Sequence, residues 1–490
     1  MKFIHLRMNP FGVSHSTATW NPCRHCNGVK TMSSALSIAD RTAALGESFS
    51  GQFLTPGHAD YDEARRVHNG LVDKRPALIA RCRSAADVMG AVKLAKALGL
   101  ETAVRGGGHN VAGRATVDGG VMIDVSPMKG ISVDADLRTA RVEAGVTWAE
   151  LNHATQAHAL AVTGGVVSST GVAGLTLGGG LGWLMGKYGL ALDNLLSVEL
   201  VTAAGDHIRA SADERPDLFW AVRGGGGNFG VATSFEFQLH QVGPTVTGGK
   251  IAHAFASAVE VLTLFRDTTA SLPDDQSVVA GLVHAPDGSG EKLAALVTCH
   301  CGSLTEGEQA MLPLRRLSSS LADGLGPVSY CDLNEMMDGA FPKGALNYWK
   351  SSFLSSLSDE AIATMIECFA RCPSVMGQII LEHVHGAATR VPVADTAFPH
   401  RTAGYNFLLI SQWDDPAMTE SCIAWARETY AAMRPFTATG RYVNYLDDDE
   451  TGDPMIAAYG PNYRRLQEIK GRYDPTNFFR MNQNIVPLPQ

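Results

Sequence analysis

The 490-residue chain has no apolar run approaching the ~20 residues that a membrane-spanning helix requires. It has no surplus of positive charge: 40 Lys and Arg stand against 49 Asp and Glu, a net charge of -9. That balance supplies no broad positive field for a nucleic acid or an anionic membrane. Cysteine is scarce, nine residues in all, and an odd number in a long chain argues against a disulfide framework. The first thirty residues lack the apolar core of a secretory signal, so the expected compartment is the cytosol. Residues 1–45 show no clear period and read as a disordered lead, with Met32 as an alternative start. Cys23 and Cys26 form a lone C-x-x-C without a second ligand pair at zinc spacing, and no metal is expected.

What is abundant is glycine. The 51 glycines gather in three clusters rather than spreading evenly. Around them, 45% apolar and 18% charged residues are normal for a globular protein, and the length suits two packed lobes. A strand over 77–82 is followed by Ser84-Ala-Ala-Asp87, a capping-box-like start. A helix then carries Val88, Val92, Ala95 and Leu98 on one stripe until Gly99 ends it. A second strand over 101–104 completes a β-α-β unit and runs directly into the first cluster, RGGGHN (105–110).

Strands over 121–125 and 140–144 and a helix capped by Thr147 lead to the second cluster, residues 164–182. The third, RGGGGNFG (223–230), opens an alternating strand over 233–239. Gly243-Pro244 reads as a boundary. Beyond it, strand-like runs (277–283, 293–299, 378–384, 405–413) mix with helical ones (256–268, 359–370, 419–433), the pattern of an α+β lobe.

Glycine permits close backbone approach and positive φ, so that main-chain N–H groups can surround a diphosphate. A nicotinamide-binding turn would need a helix straight after the glycines, with an acidic residue about 20 positions on. Here residues 110–120 are loop-like and precede a strand. No cluster is followed by Gly-Lys-Ser/Thr, which excludes a P-loop.

Three long runs carry a resemblance: RGGGHNVAG (105–113), GGVVSSTGVAGLTLGGGLGWLMGKYGLALDNLL (164–196) and DLFWAVRGGGGNFGVATSFEF (217–237). They resemble the vanillyl-alcohol-oxidase (PCMH-type) FAD-binding domain. The tail, NYLDDDE (444–450) and YDPTNFFRMNQNI (473–485), is similar to the berberine-bridge-enzyme C-terminal segment. The match spans about residues 60 to 490 in order and points toward the bacterial 6-hydroxy-D-nicotine-oxidase-like group. It implies an α+β fold with a two-lobed FAD-binding domain at 46–244 and a substrate lobe with an antiparallel sheet at 245–435. A segment at 436–490 then returns to complete the flavin site.

The resemblance also implies the site. His109 is expected to bond to the flavin 8α-methyl carbon, and Arg105, Gly106, Gly107, Gly108, Asn110, Val111 and Ala112 to cradle the pyrophosphate. Thr170, Gly171, Gly174, Asn194, Gly230 and Val231 are expected to line the rest of the FAD cleft, with Asn482 and Asn484 returning toward the flavin. Many relatives carry a second, cysteinyl tether, but its position here is Val167 and no cysteine occurs between Cys82 and Cys299. A single histidyl bond is therefore expected, and a bulky sugar is disfavoured as substrate.

The chemistry so implied is hydride transfer from a small alcohol, cyclic amine or secondary metabolite to flavin, with O₂ reoxidising it to give H₂O₂. A dehydrogenase using another acceptor and a carbohydrate oxidase are the alternatives, and the turn 171–175 is where relatives control oxygen access. The glutamate base of berberine bridge enzymes matches Asn406, which cannot serve. Tyr445 matches the tyrosine that takes the proton in sugar and polyketide oxidases, a role that requires a depressed phenol pKa.

Glu382, His383 and His385 share one strand, with Glu382 and His383 on opposite faces. Tyr348, Trp349, Lys350 and Tyr405 are further candidate pocket walls. Cys299 and Cys301 read as packing, and residues 447–450 as a solvated loop.

Overall fold

The computed structural model describes residues 37–449 and 453–489. Alternation and capping produce the expected elements. Ser84 Oγ accepts from Asp87 N to start the helix Ala85–Leu98, and Gly99, left-handed at φ 66°, ends it. This helix lies beside a four-stranded sheet ordered Gln52–Leu54, Leu78–Arg81, Val121–Asp124, Thr102–Arg105, parallel except at its first strand. A five-stranded antiparallel sheet follows, ordered Ile131–Asp134, Thr139–Glu143, Val231–Gln238, Leu195–Val201, His207–Ser211. One apolar core joins both sheets.

The expected disordered lead is corrected at its C-terminal end. A Ser37–Asp40 capping box starts the helix Ile38–Leu45, and its Ile38 and Leu45 pack on the first core. The rest of that lead, with Met32, Cys23 and Cys26, lies outside the described residues.

From Thr245 onward the chain builds an eight-stranded antiparallel sheet. Its central strands are Lys292–His300, Gln276–His284, Gln378–Val384 and Gly404–Trp413, with Leu346–Leu354 at one edge. Helices Ala258–Thr269, Asp359–Ala370 and Thr419–Met433 bury Phe265, Met365, Phe369, Trp425 and Met433 against one face. Each such side chain contributes roughly 1.5–3 kcal/mol of burial. The opposite face carries Val279, Val283, Ile380, Leu408 and Ile410, and Phe341, Trp349 and Tyr445 pack against them.

The C-terminal segment does return to the first lobe. Tyr459, Leu466, Ile469, Phe479 and Ile485 belong to its core. Asn228, in the third glycine cluster, grips the tail: its Nδ2 donates to the Gln483 carbonyl at 3.0 Å, and its Oδ1 accepts from Ile485 N at 2.9 Å. Beneath it, the buried Lys470 ammonium donates to Asp474 and to the Asn228 and Phe479 carbonyls, which satisfies all three of its protons.

Candidate active site

The first glycine cluster leaves the sheet at Arg105 and turns at Gly108, where φ is +74°. No main-chain N–H from Gly106 to Ala112 has a protein acceptor among the described residues. A run of seven such donors is a concavity for an anion. The second cluster presses against it. A Cβ on Gly107 would stand 2.6 Å from Gly171 Cα, and one on Gly171 would stand 2.9 Å from Gly107 Cα. Neither backbone can yield, so Gly107→Ala is expected to lower flavin bound per chain by about tenfold or more, a loss of at least ~1.4 kcal/mol. Flavin absorbance per chain of the purified variant checks this.

Arg105 is a correction. Its guanidinium is bidentate on the buried Asp124 carboxylate (3.0 and 2.7 Å) and also donates to the Ala64 and Arg66 carbonyls. Its own N–H lies in the strand ladder, so Arg105 braces the loop and the cradle begins at Gly106. Asn110 Oδ1 accepts from Arg114 N at 2.9 Å, and the Val111 carbonyl from Asn69 Nδ2 at 3.0 Å. Both contacts shape the turn while leaving its N–H groups free.

His109 sits where the two clusters meet. Ser169 Oγ lies 3.0 Å from its Nε2 and Thr170 Oγ1 3.5 Å from its Nδ1. The His68 ring stacks on it with centroids 4.0 Å apart. Desolvation in this slot, with His68 alongside, pushes the His109 pKa down to about 3. The imidazole is therefore neutral, the state a nitrogen nucleophile requires.

Gly174 faces open space, with nothing near an added Cβ. Gly230 is held tight by Leu200, and Val231 starts a central strand of the five-stranded sheet. The Asn194 side chain is held within the protein: its Nδ2 donates to the Tyr188 and Leu190 carbonyls and its Oδ1 pairs with His240. Asn482 and Asn484 are half-buried with amide oxygens that have no partner. Orphaned acceptors of this kind call for an external donor.

The substrate-lobe sheet brings the second half of the site. Glu382 stands directly opposite Asn406 in antiparallel register, on the face that carries Ile380 and Leu408. Asn406 Nδ2 donates to Glu382 Oε2 at 2.6 Å, and the Tyr445 hydroxyl to Oε1 at 3.3 Å. Burial pushes the Glu382 pKa up to about 7. The carboxylate absent at position 406 is thus present one strand away. The same burial, followed by the charge of Glu382, raises the Tyr445 phenol well above its ordinary value. That opposes the depression a solitary tyrosine base would need. Tyr445 is anchored to the first lobe by its neighbours: Asn444 Nδ2 donates to the Leu175 carbonyl at 3.0 Å, and the Tyr442 hydroxyl accepts from Gly180 N at 2.8 Å.

Other candidates separate by face. Trp349 packs edge-on against Tyr445 and Phe341 beside Glu382. Tyr348 belongs to the helix-side core, as does Tyr405, whose hydroxyl pairs with Thr269. His383 and His385 stack on each other and line a separate cleft of about 360 Å³ with Asp274 and Arg390. Residues 447–449 are no simple solvated loop: Asp449 accepts from Lys350, Tyr348 and Arg427. Cys299 and Cys301 are buried thiols, the latter pushed up to about 11 by desolvation.

Comparisons with known proteins agree with this geometry. A family model described as FAD binding domain matches residues 76–211, and one described as berberine and berberine like matches residues 441–486. The (R)-6-hydroxynicotine oxidase of Paenarthrobacter nicotinovorans is 36% identical over 454 residues, covering 90% of this chain and 97% of its own. An FAD-linked oxidoreductase of Dictyostelium discoideum is 29% identical over 446 residues, covering 90% and 96%. The crystal structure of 6-hydroxy-D-nicotine oxidase from Arthrobacter nicotinovorans superposes with a TM-score of 0.82 at 32% identity, over 90% of this chain and 99% of that one. Physcomitrella patens BBE-like 1 gives the same TM-score at 25% identity, over 93% and 100%.

Proposed function

The chain belongs to the FAD-linked oxidoreductases of the berberine-like family, and from that premise we propose that it oxidises a small, largely apolar alcohol or amine. FAD, when bound, supplies the hydride acceptor and passes its electrons to O₂, giving H₂O₂. The donors of residues 106–112 would hold its pyrophosphate and His109 its ring system, through one histidyl bond. The unpartnered amide oxygens of Asn482 and Asn484 would meet its remaining donors.

One observation carries the reading: a buried carboxylate pushed up to about 7, held between an amide and a phenol on the face toward the flavin lobe. Tyr445 gives its O–H to Glu382, so its oxygen can accept a proton from the substrate while its own proton passes to Oε1. Asn406 occupies Oε2 and leaves Oε1 as the receiving atom. A group with a pKa near the working pH combines an available base with a useful driving force.

The apolar neighbours support an apolar substrate. Phe341, Trp349, Ile380 and Leu408 lie on the same sheet face as this acid, and a sugar would leave several hydroxyls without partners there. The free cysteines of the described residues suit a cytosolic setting.

The test is anaerobic mixing with 6-hydroxy-D-nicotine, then with other small cyclic amines and apolar alcohols. One of these should bleach the flavin, and admitted air should restore the colour with one H₂O₂ per turnover. Bleaching by oligosaccharides alone would sink this reading.

A further inference from the structure

Resting on the histidyl-bond reading above, we propose that residues 334–347 of the substrate lobe act as a clamp that positions His109 for covalent attachment, with Asp338 as the principal positioning residue. The observations lie on both flanks of the imidazole. On one flank, the Asp338 carboxylate accepts from Ser168 N at 2.8 Å and from Ser168 Oγ at 2.5 Å. Asn334 Nδ2 holds the start of the same loop at the Gly165 carbonyl, 3.0 Å away. That loop delivers the Ser169 and Thr170 hydroxyls to the His109 ring nitrogens. On the other flank, His68 Nε2 donates to the Phe341 carbonyl at 3.0 Å, and Gly344 N to the His68 carbonyl at 2.9 Å, which presents the His68 ring to the face of His109. Asn69 and Asn347 exchange two further bonds of 2.9 and 3.0 Å just behind it.

Without the substrate lobe, both flanks of His109 would lose their support. A ring nitrogen must be aimed at a single carbon, and a loosely held imidazole reacts slowly even when neutral. With Nε2–H given to Ser169 Oγ at 3.0 Å, the lone pair lies on Nδ1, whose contact to Thr170 is longer. Attachment forms the Nδ1–C8α bond. The methyl group loses one proton and the imidazole loses its Nε2 proton. Two electrons pass into the flavin and on to O₂, which leaves with both protons as H₂O₂. Attachment on this account follows docking of the lobes, so a chain with an unformed substrate lobe binds FAD without acquiring the bond.

The test measures covalent flavin as a fraction of total bound flavin, by acid precipitation and by fluorescence in a denaturing gel. It compares wild type, Asp338→Ala, Ser168→Ala and Ser168→Thr. Asp338→Ala is expected to keep its bound FAD and lose covalent fraction by about tenfold, the effect of ~1.4 kcal/mol on positioning. Ser168→Ala should fall partway, and Ser168→Thr, which restores the hydroxyl, should match wild type. A merely structural role would lower total FAD and leave the covalent fraction alone. Asp338→Ala and Ser168→Ala both fully covalent, beside a covalent wild type, would overturn the clamp. If Asp338→Ala fails to fold, a fully covalent Ser168→Ala overturns it alone. A wild type without covalent flavin would instead remove the histidyl bond, and the clamp with it.

Discussion

Glu382→Gln should slow substrate-dependent flavin reduction by about 10²–10⁴-fold, the usual contribution of a positioned base. Glutamine keeps the shape and can still meet Asn406 and Tyr445, but it cannot take the proton that Tyr445 passes on. In the wild type, kcat/KM should rise with pH through about 7, because the carboxylate is the working form and its pKa is raised to that value. The variant should lose that rise. Its stability separates chemistry from folding. A carboxyl whose folded pKa lies above its ordinary 4.5 costs stability increasingly as pH climbs from ~4.5 to ~7, since the unfolded chain ionises it more easily. Glu382→Gln should therefore melt no lower than wild type at pH 8. A large loss of Tm there would show that the residue holds the sheet together, and a rate near wild type would remove it from the chemistry.

His109→Ala should contain no acid-stable flavin at all while keeping some FAD in the cradle. The seven unpartnered N–H groups of residues 106–112 do not depend on the imidazole. Its colour should pass entirely into the supernatant on acid precipitation, where wild type keeps it in the pellet. The change is expected to be complete, because the second cluster offers no cysteine for another tether: Val166 and Val167 precede Ser168, and the cysteines nearest in sequence are Cys82 and Cys299. Residual acid-stable flavin in the variant would mean that another side chain carries the bond.

Much of this site could be read from local sequence. The glycine runs and the histidine between them announce a loop built for close backbone approach, and the structure shows why: Gly107 and Gly171 have no room for a side chain. Alternation over residues 378–384 already separates Glu382 from His383, and the sheet honours it. What alternation cannot supply is register. That Glu382 faces Asn406 is a property of two strands paired across 24 residues, so the loss of a carboxylate at position 406 looked like the loss of a base.

The contacts that orient His109 were less legible still. Asp338 meets Ser168 across 170 residues and His68 meets Phe341 across 273, and neither leaves a local pattern. Family motifs also do not reveal which side chains are already engaged within the protein. Arg105 and Asn194 match in sequence, and their side chains pair with the buried Asp124 and the half-buried His240. The Asp449 cluster went unread because three of its four members lie 22 or more residues from it.

The most direct measurement is the intact mass of the acid-denatured wild-type chain. The account predicts a single species heavier than the sequence by one FAD less two hydrogens, shifted on proteolysis to the peptide that contains His109. An unmodified mass, with the yellow colour released into solution, would contradict it.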